Sequence, residues 1–199
     1  MEKMMKKTAM AALAAVMLTF GPSSYEAEAA DPYARIGIGP GFMSDSEDGT
    51  DVEYKTGVAV NGAVGLDGGL YRVEGEIGYQ ENKIDSWAGL DVDGDEVSML
   101  SFMGNGYIDL EMPGSLVTPY LMGGIGVANV DFDDTLAGDP DSDTVFAWQL
   151  GVGVGFQPLP RVTVDIGYRY FTTADVDAGL ARDIEIASHD ILAGVRITL

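Results

Sequence analysis

From residue 33 onward the chain alternates. Over 33–43 one face carries Ala34, Ile36, Ile38, Pro40 and Phe42, and the other carries Arg35, Gly37, Gly39 and Gly41. Over 70–82 Tyr71, Val73, Ile77 and Tyr79 oppose Arg72, Glu74, Glu76, Gly78 and Gln80. Over 146–156 Phe146, Trp148, Leu150, Val152, Val154 and Phe156 oppose Ala147, Gln149, Gly151, Gly153 and Gly155. The same period of two runs through 53–66, 99–111, 117–128, 161–171 and 189–199. Such alternation marks strands with one apolar face, and helical periodicity is hard to find beside it. Eight strands of about ten residues are therefore predicted, each long enough to cross a bilayer when tilted.

The connectors alternate as well. Segments 67–69, 112–115 and 157–160 are tight and contain Gly or Pro, whereas 44–51, 83–96, 131–143 and 173–183 are long and acidic. Short turns at one end and long loops at the other are the layout of an eight-stranded, up-and-down antiparallel transmembrane β-barrel. Strand parity then puts both ends of the barrel with the short turns, on the periplasmic side. A soluble barrel would bury the apolar face inside, crowding Phe, Trp and Tyr into one narrow lumen. A membrane barrel turns that face to lipid and the polar, glycine-rich face inward, and closure satisfies every backbone group. Aromatics fall at both edges of the apolar face: Phe42, Tyr54, Tyr79, Phe146, Trp148 and Tyr170 near the long loops, Tyr71 and Phe156 near the short turns. Two such girdles are expected at the interfaces.

Residues 1–29 read differently. Lys3, Lys6 and Lys7 precede an uncharged run over 8–20, Gly21 and Pro22 break it, and Ala27-Glu28-Ala29 offers a small–x–small cleavage pattern. This is the grammar of a secretory signal peptide. The thirteen-residue run would extend about 20 Å as a helix, short of a roughly 30 Å hydrocarbon core. The expected domains are a signal at 1–29 and a barrel at 30–199. The expected location is the outer membrane of a Gram-negative-type bacterium.

Composition removes most chemistry. With 32 acidic and 11 basic residues the formal charge is −21. That excludes nucleic acid as a partner, since phosphate neutralisation needs Lys and Arg. No cysteine and one histidine leave no thiolate nucleophile and no Cys- or His-rich metal site, so no cofactor is expected. The inward charges Arg35, Arg72, Glu74, Glu76, Asp109, Asp165, Arg169, Asp190 and Arg196 are expected to pair as a plug. An eight-stranded interior is nearly filled by side chains, and an unpaired buried charge is expensive. Arg169 and Arg196, on neighbouring strands, are expected to hold the inward carboxylates. A narrow passive channel is the alternative.

Three catalytic or metal patterns fail on geometry. Glu74 and Glu76 share a face, but a glycosidase needs a sugar between its carboxylates. His189 and Asp190 point to opposite faces of a regular strand and cannot form a triad with Ser188. Counting from Asp91, the sixth and twelfth positions are Glu96 and Phe102, not the Gly and Glu of an EF-hand. Glycine runs such as 151–155 alternate strictly and open no helix, so they are not nucleotide loops.

Several segments resemble a known family. Pro119-Tyr120-Leu121-Met122-Gly123-Gly124-Ile125-Gly126 resembles the P-Y-x-x-x-G-x-G strand of opacity-type and OmpX/OmpA-like outer-membrane barrels. Asp165-Ile166-Gly167-Tyr168-Arg169-Tyr170-Phe171 is similar to their G-Y-R-Y-F strand. Ser188-His189-Asp190 with Gly194-Val195-Arg196 is similar to their last strand. That family usually ends in Phe where this chain has Leu199. The resemblance implies outer-membrane lipid, lipopolysaccharide and the barrel-assembly machinery as partners. It implies a structural or adhesive role through the loops toward a surface, host or matrix ligand. Separately, Trp87, the aromatic residue of the second long loop, is expected either to serve as a contact anchor or to pack on its own loop. A lipid-A-modifying enzyme and a soluble ligand-binding barrel are the remaining, lesser readings.

Overall fold

The computed structural model describes residues 30–46, 52–54, 56–87, 90–91, 96–110, 112, 114–133, 142–174 and 185–199. The expected signal segment 1–29 and most of the acidic loop residues lie outside them. Eight long strands are present: β1 (Asp31–Ser46), β3 (Gly57–Asp67), β4 (Tyr71–Trp87), β6 (Glu96–Asp109), β7 (Val117–Asp133), β8 (Ser142–Leu159), β9 (Val162–Thr173) and β10 (Glu185–Thr198). Two short strands, β2 (Val52–Tyr54) and β5 (Leu90–Asp91), pair with the outer end of β4. Each long strand pairs antiparallel with its neighbours, and β1 pairs with β10, so the sheet closes. No helix occurs among the described residues.

Several strands run beyond the sequence expectation. β4 continues to Trp87, β7 to Asp133, and β8 begins at Ser142. The hairpins project past the apolar band because strand pairing continues after the hydrophobic pattern stops. The expected strand over 53–66 is divided, with Tyr54 on β2 opposite Ile84 and the barrel strand starting at Gly57.

The register determines the shape. Partners followed from Tyr33 pass through Gly65, Glu74, Asn105, Gly124, Gln149, Phe171 and Ser188 and return to β1 at Met43, ten residues along from the start. Eight strands with a stagger of ten tilt by about 41°, taking about 3.3 Å per residue and about 4.8 Å between strands. The backbone cylinder then has a radius of about 8 Å. Phe156 and Phe146, ten residues apart on β8 and facing out, are separated by about 25 Å along the axis at that tilt, the height of an outer-membrane apolar band.

The faces divide as the alternation requires. Ile36, Val64, Ile77, Ile125, Leu150 and Ile166 are exposed, while Arg72, Glu74, Asn105, Gln149 and Asp190 are buried. Phe42, Tyr79, Phe146 and Trp148 face outward toward the long-loop end, Tyr71 and Phe156 toward the short turns. The short turns use positive φ at Gly69 (82°) and Gly114 (80°), a conformation that costs glycine nothing. The β1–β10 ladder has one lapse, between Ile38↔Ala193 and Gly41↔Asp190. Pro40 lies there and has no N–H to offer.

Leu150 projects outward near mid-height. Leu150→Lys is expected to destabilise the barrel by about 2–4 kcal/mol, the cost of a cation at the bilayer midplane. Urea titration in lipid vesicles, read by heat-modifiable gel mobility, measures it.

Candidate functional site

Among the described residues the lumen gathers most of the charged side chains, and it is layered. At the short-turn end Arg72, almost fully buried, forms a bidentate pair with Asp109 through Nε and Nη2. Its guanidinium lies 4.2 Å from the Tyr107 ring centroid and 5.4 Å from that of Tyr120. The two tyrosines meet edge to face at 5.6 Å. A Cβ on Gly153 would stand 2.4 Å from the Tyr120 hydroxyl oxygen, and one on Gly167 2.5 Å. Those glycines are the floor on which a large ring fits in a narrow barrel.

The middle layer is a continuous ladder of charge. Asp190 receives Arg169 at 2.7 Å, Arg169 reaches Glu76 at 3.1 Å, Glu76 receives Arg35 at 2.8 Å, and Arg35 also meets Glu74 at 3.2 Å. β9, which carries Arg169, and β4, which carries Glu76, are four strands apart whichever way the ring is followed. Their ion pair therefore spans the lumen. Glu74 also accepts from the Tyr33 hydroxyl (2.9 Å), the Tyr107 hydroxyl (2.5 Å) and Asn105 (3.2 Å). Glu76 accepts from Asn61 (2.8 Å), and Gln149 donates to Asn105 (2.6 Å).

The upper layer is split. On one side Gln80 donates to Ser188 (2.8 Å), and Ser188 donates to Asp190 (2.7 Å). On the other side the lumen is apolar: Met43, Met99, Met103, Ala128, Val130, Val145, Ala147 and Phe171 form a buried cluster. A cavity of about 20 Å³ lies below, bordered by Arg35, Glu76, Tyr107, Tyr120, Asp165 and Arg169. That volume admits about one water and no hydrated ion.

The whole described chain, outside and inside, fits one protein group. The outer membrane protein beta-barrel domain family matches over residues 11–195. The chain belongs to this family. Like other members it folds as Neisserial surface protein A does, at a TM-score of 0.66 with 20% identity, covering 86% of this chain and 100% of that one. OprG of Pseudomonas aeruginosa is similar at 0.59 with 15% identity, over 86% and 97%. Ail, the attachment invasion locus protein of Yersinia pestis, is similar at 0.52 with 17% identity, over 85% and 99%. At these identities the likeness concerns the fold. An uncharacterised protein of Brucella abortus is 33% identical over 114 residues, 51% of this chain and 36% of its own length. The chain thus spans about a third of the curated relatives it matches.

Among this family's interior residues, the structure distributes the sequence candidates unevenly. Arg35, Glu74, Glu76, Arg169 and Asp190 share one ladder, and Arg72 and Asp109 pair apart from it. Arg196 does not join Arg169 in holding the central carboxylates. It sits near the periplasmic end of β10 and pairs with Asp67 at 2.7 Å. Asp165 faces inward, 3% exposed, and neither of its oxygens has a hydrogen-bond partner among the described residues. It is not part of an ion-paired plug, because Arg196 turns toward Asp67 and Arg72 toward Asp109. Trp87 lies on β4 opposite Val52 and Leu90, and its side chain is outside the described residues. Sequence reasoning missed the hydroxyl donors Tyr33, Tyr107 and their neighbour Tyr120, although parity alone put them on the polar face. It also missed the apolar cluster, for which inward Met99, Met103 and Phe171 were the signal.

Two variants probe the layers. Arg169→Met strands Asp190 and half of the Glu76 network and is expected to cost about 3–5 kcal/mol, the usual penalty for breaking a buried pair. Adding Asp190→Leu should return much of that loss, since an apolar replacement of both partners is often neutral. Gly153→Val must push Tyr120 off its floor and is expected to cost about 1–3 kcal/mol from overpacking. Urea midpoints in micelles read both.

Proposed function

We propose that this protein is a surface barrel of the Gram-negative outer membrane. It acts through the segments beyond its extracellular end, and its lumen is a structural plug. The observation that carries the reading is the Arg169–Glu76 pair across the barrel, extended by Arg35, Glu74 and Asp190. A methionine-rich apolar cluster fills one side of the lumen above it, beside the Gln80–Ser188–Asp190 chain, and that side resists wetting. Conduction would require breaking the ladder.

The partner belongs outside the barrel. The formal charge of −21 favours a ligand or matrix surface with cationic patches, because complementary potentials steer encounter. Ail has been seen with sucrose octasulfate, a heparin analogue. A polyanion of that kind would be repelled by this chain's acidic segments. Trp87, in the β4 extension, is the contact candidate. A hydrolase centred on 188–190 lacks support: Ser188 and Asp190 lie buried inside while Ile191 and the ring of His189 belong to the outer face.

Two measurements test this. Purified protein in planar bilayers is expected to give no stable, long-lived openings, and a steady single-channel conductance would overturn the plug. Cells bearing Trp87→Ala are expected to lose about tenfold or more in binding to matrix or host cells, the size of a hot-spot loss. Equal binding removes Trp87 as the anchor.

A further inference from the structure

We infer that His189, with Tyr168 and Tyr170, forms a contact site for the phosphate of an outer-leaflet glycolipid. His189 is the chain's one histidine. Its strand neighbours across the ladders are Phe42 on β1, a member of the extracellular aromatic girdle, and Tyr170 on β9, which lies below the girdle toward mid-height. That girdle marks the headgroup level of the bilayer. The imidazole faces the lipid side, half-buried among rings. It stacks on Tyr168 at 6.0 Å and leans on Tyr170 at 5.1 Å, and Tyr170 meets Trp148 edge to face at 5.5 Å.

One ring nitrogen is already engaged. The Tyr168 hydroxyl lies 2.6 Å from Nδ1. With Tyr168 donating, the ring proton resides on Nε2, and the tautomer and ring plane are both held. Nε2–H then points away from the Tyr168 contact with no hydrogen-bond partner among the described residues. A donor at this depth lacks water and needs an acceptor from the lipid. The arginines with described side chains on the strands all turn inward: Arg35, Arg72, Arg169 and Arg196. His189 is thus the basic side chain with a described position that meets the outer leaflet at girdle height. A phosphate oxygen accepts strongly from such a donor, and the three rings make a flat apolar wall against which an acyl chain can lie. The site does not depend on what the loops bind.

The single histidine makes the test direct. The full barrel, labelled with ¹⁵N-histidine, is placed in phosphatidylcholine nanodiscs containing bis-phosphorylated lipid A, dephosphorylated lipid A, or no lipid A with added inorganic phosphate. The Nε2 resonance is expected to shift with bis-phosphorylated lipid A only. No shift with it, or an equal shift with the dephosphorylated lipid, overturns the phosphate contact. A shift with inorganic phosphate alone overturns the lipid as its source. His189→Phe keeps the ring packing and so the fold. It is expected to reduce the lipid A retained per barrel about five- to tenfold, the effect of one charge-assisted hydrogen bond. Retention equal to the parent protein overturns the proposal as well.

Discussion

Hydrocarbon offers a backbone amide nothing to bond to. Everything else in this structure depends on that constraint. It forces β1 onto β10, and closing eight strands with a stagger of ten residues leaves a backbone cylinder about 8 Å in radius. The cylinder is too narrow for a water-filled bore once side chains point in. It is also too wide for glycine and alanine alone to fill. The inward face must therefore mix residues that reach across with residues that make room. Arg169 and Glu76 meet across the lumen, while Gly153 and Gly167 leave space for Tyr120. Large and small inward positions are two halves of one packing solution.

Charge inside the barrel is balanced by local donors rather than by counting. Among the described residues six inward carboxylates, Asp67, Glu74, Glu76, Asp109, Asp165 and Asp190, face four guanidiniums, Arg35, Arg72, Arg169 and Arg196. Two carboxylates must do without an arginine of their own. Glu74 shares Arg35 and makes up the difference with two tyrosine hydroxyls and an asparagine. Asp165 has no such company. A buried ion pair gains little over an apolar filling but loses much if one partner is removed. The network is therefore better seen as a lock on strand register than as a source of net stability. A slip of one residue would turn every one of these charges into lipid.

The alternation made most of the outside of the barrel legible: the outward apolar face and the aromatics at its two edges, apart from Tyr54, which falls on β2 with its side chain outside the described residues. Inside, parity sorted residues correctly but said nothing about partners. Arg196 and Arg169 look equivalent on adjacent strands. Only the stagger shows that Arg196 lies level with Asp67 at the periplasmic rim while Arg169 sits at the height of Glu76. The tyrosine hydroxyls were overlooked because a Tyr in a strand is equally at home in a girdle. The apolar upper lumen was overlooked because Met43, Met99 and Met103 were scattered over two strands, and no single strand shows them as a layer. Contacts between residues such as Arg169 and Glu76, 93 positions apart, depend on closure, which no local pattern encodes.

The layering also bears on where selection can act. Opening the lumen would mean breaking an ion-pair ladder held by hydrogen bonds from four strands, beneath an upper lumen that is apolar on one side and polar on the other. Substitutions beyond the girdle do not touch that ladder. The β4 extension with β2 and β5 lies outside the closed ring of eight strands, so changes there leave the β1–β10 closure in place. His189 beside the girdle residue Phe42, and Tyr168 below it, stand between these regimes. They are tied to the barrel by packing, yet their outward atoms are free to meet the lipid. On the proposed reading the interior is committed to holding the barrel together, and recognition is left to the rim and the segments beyond it.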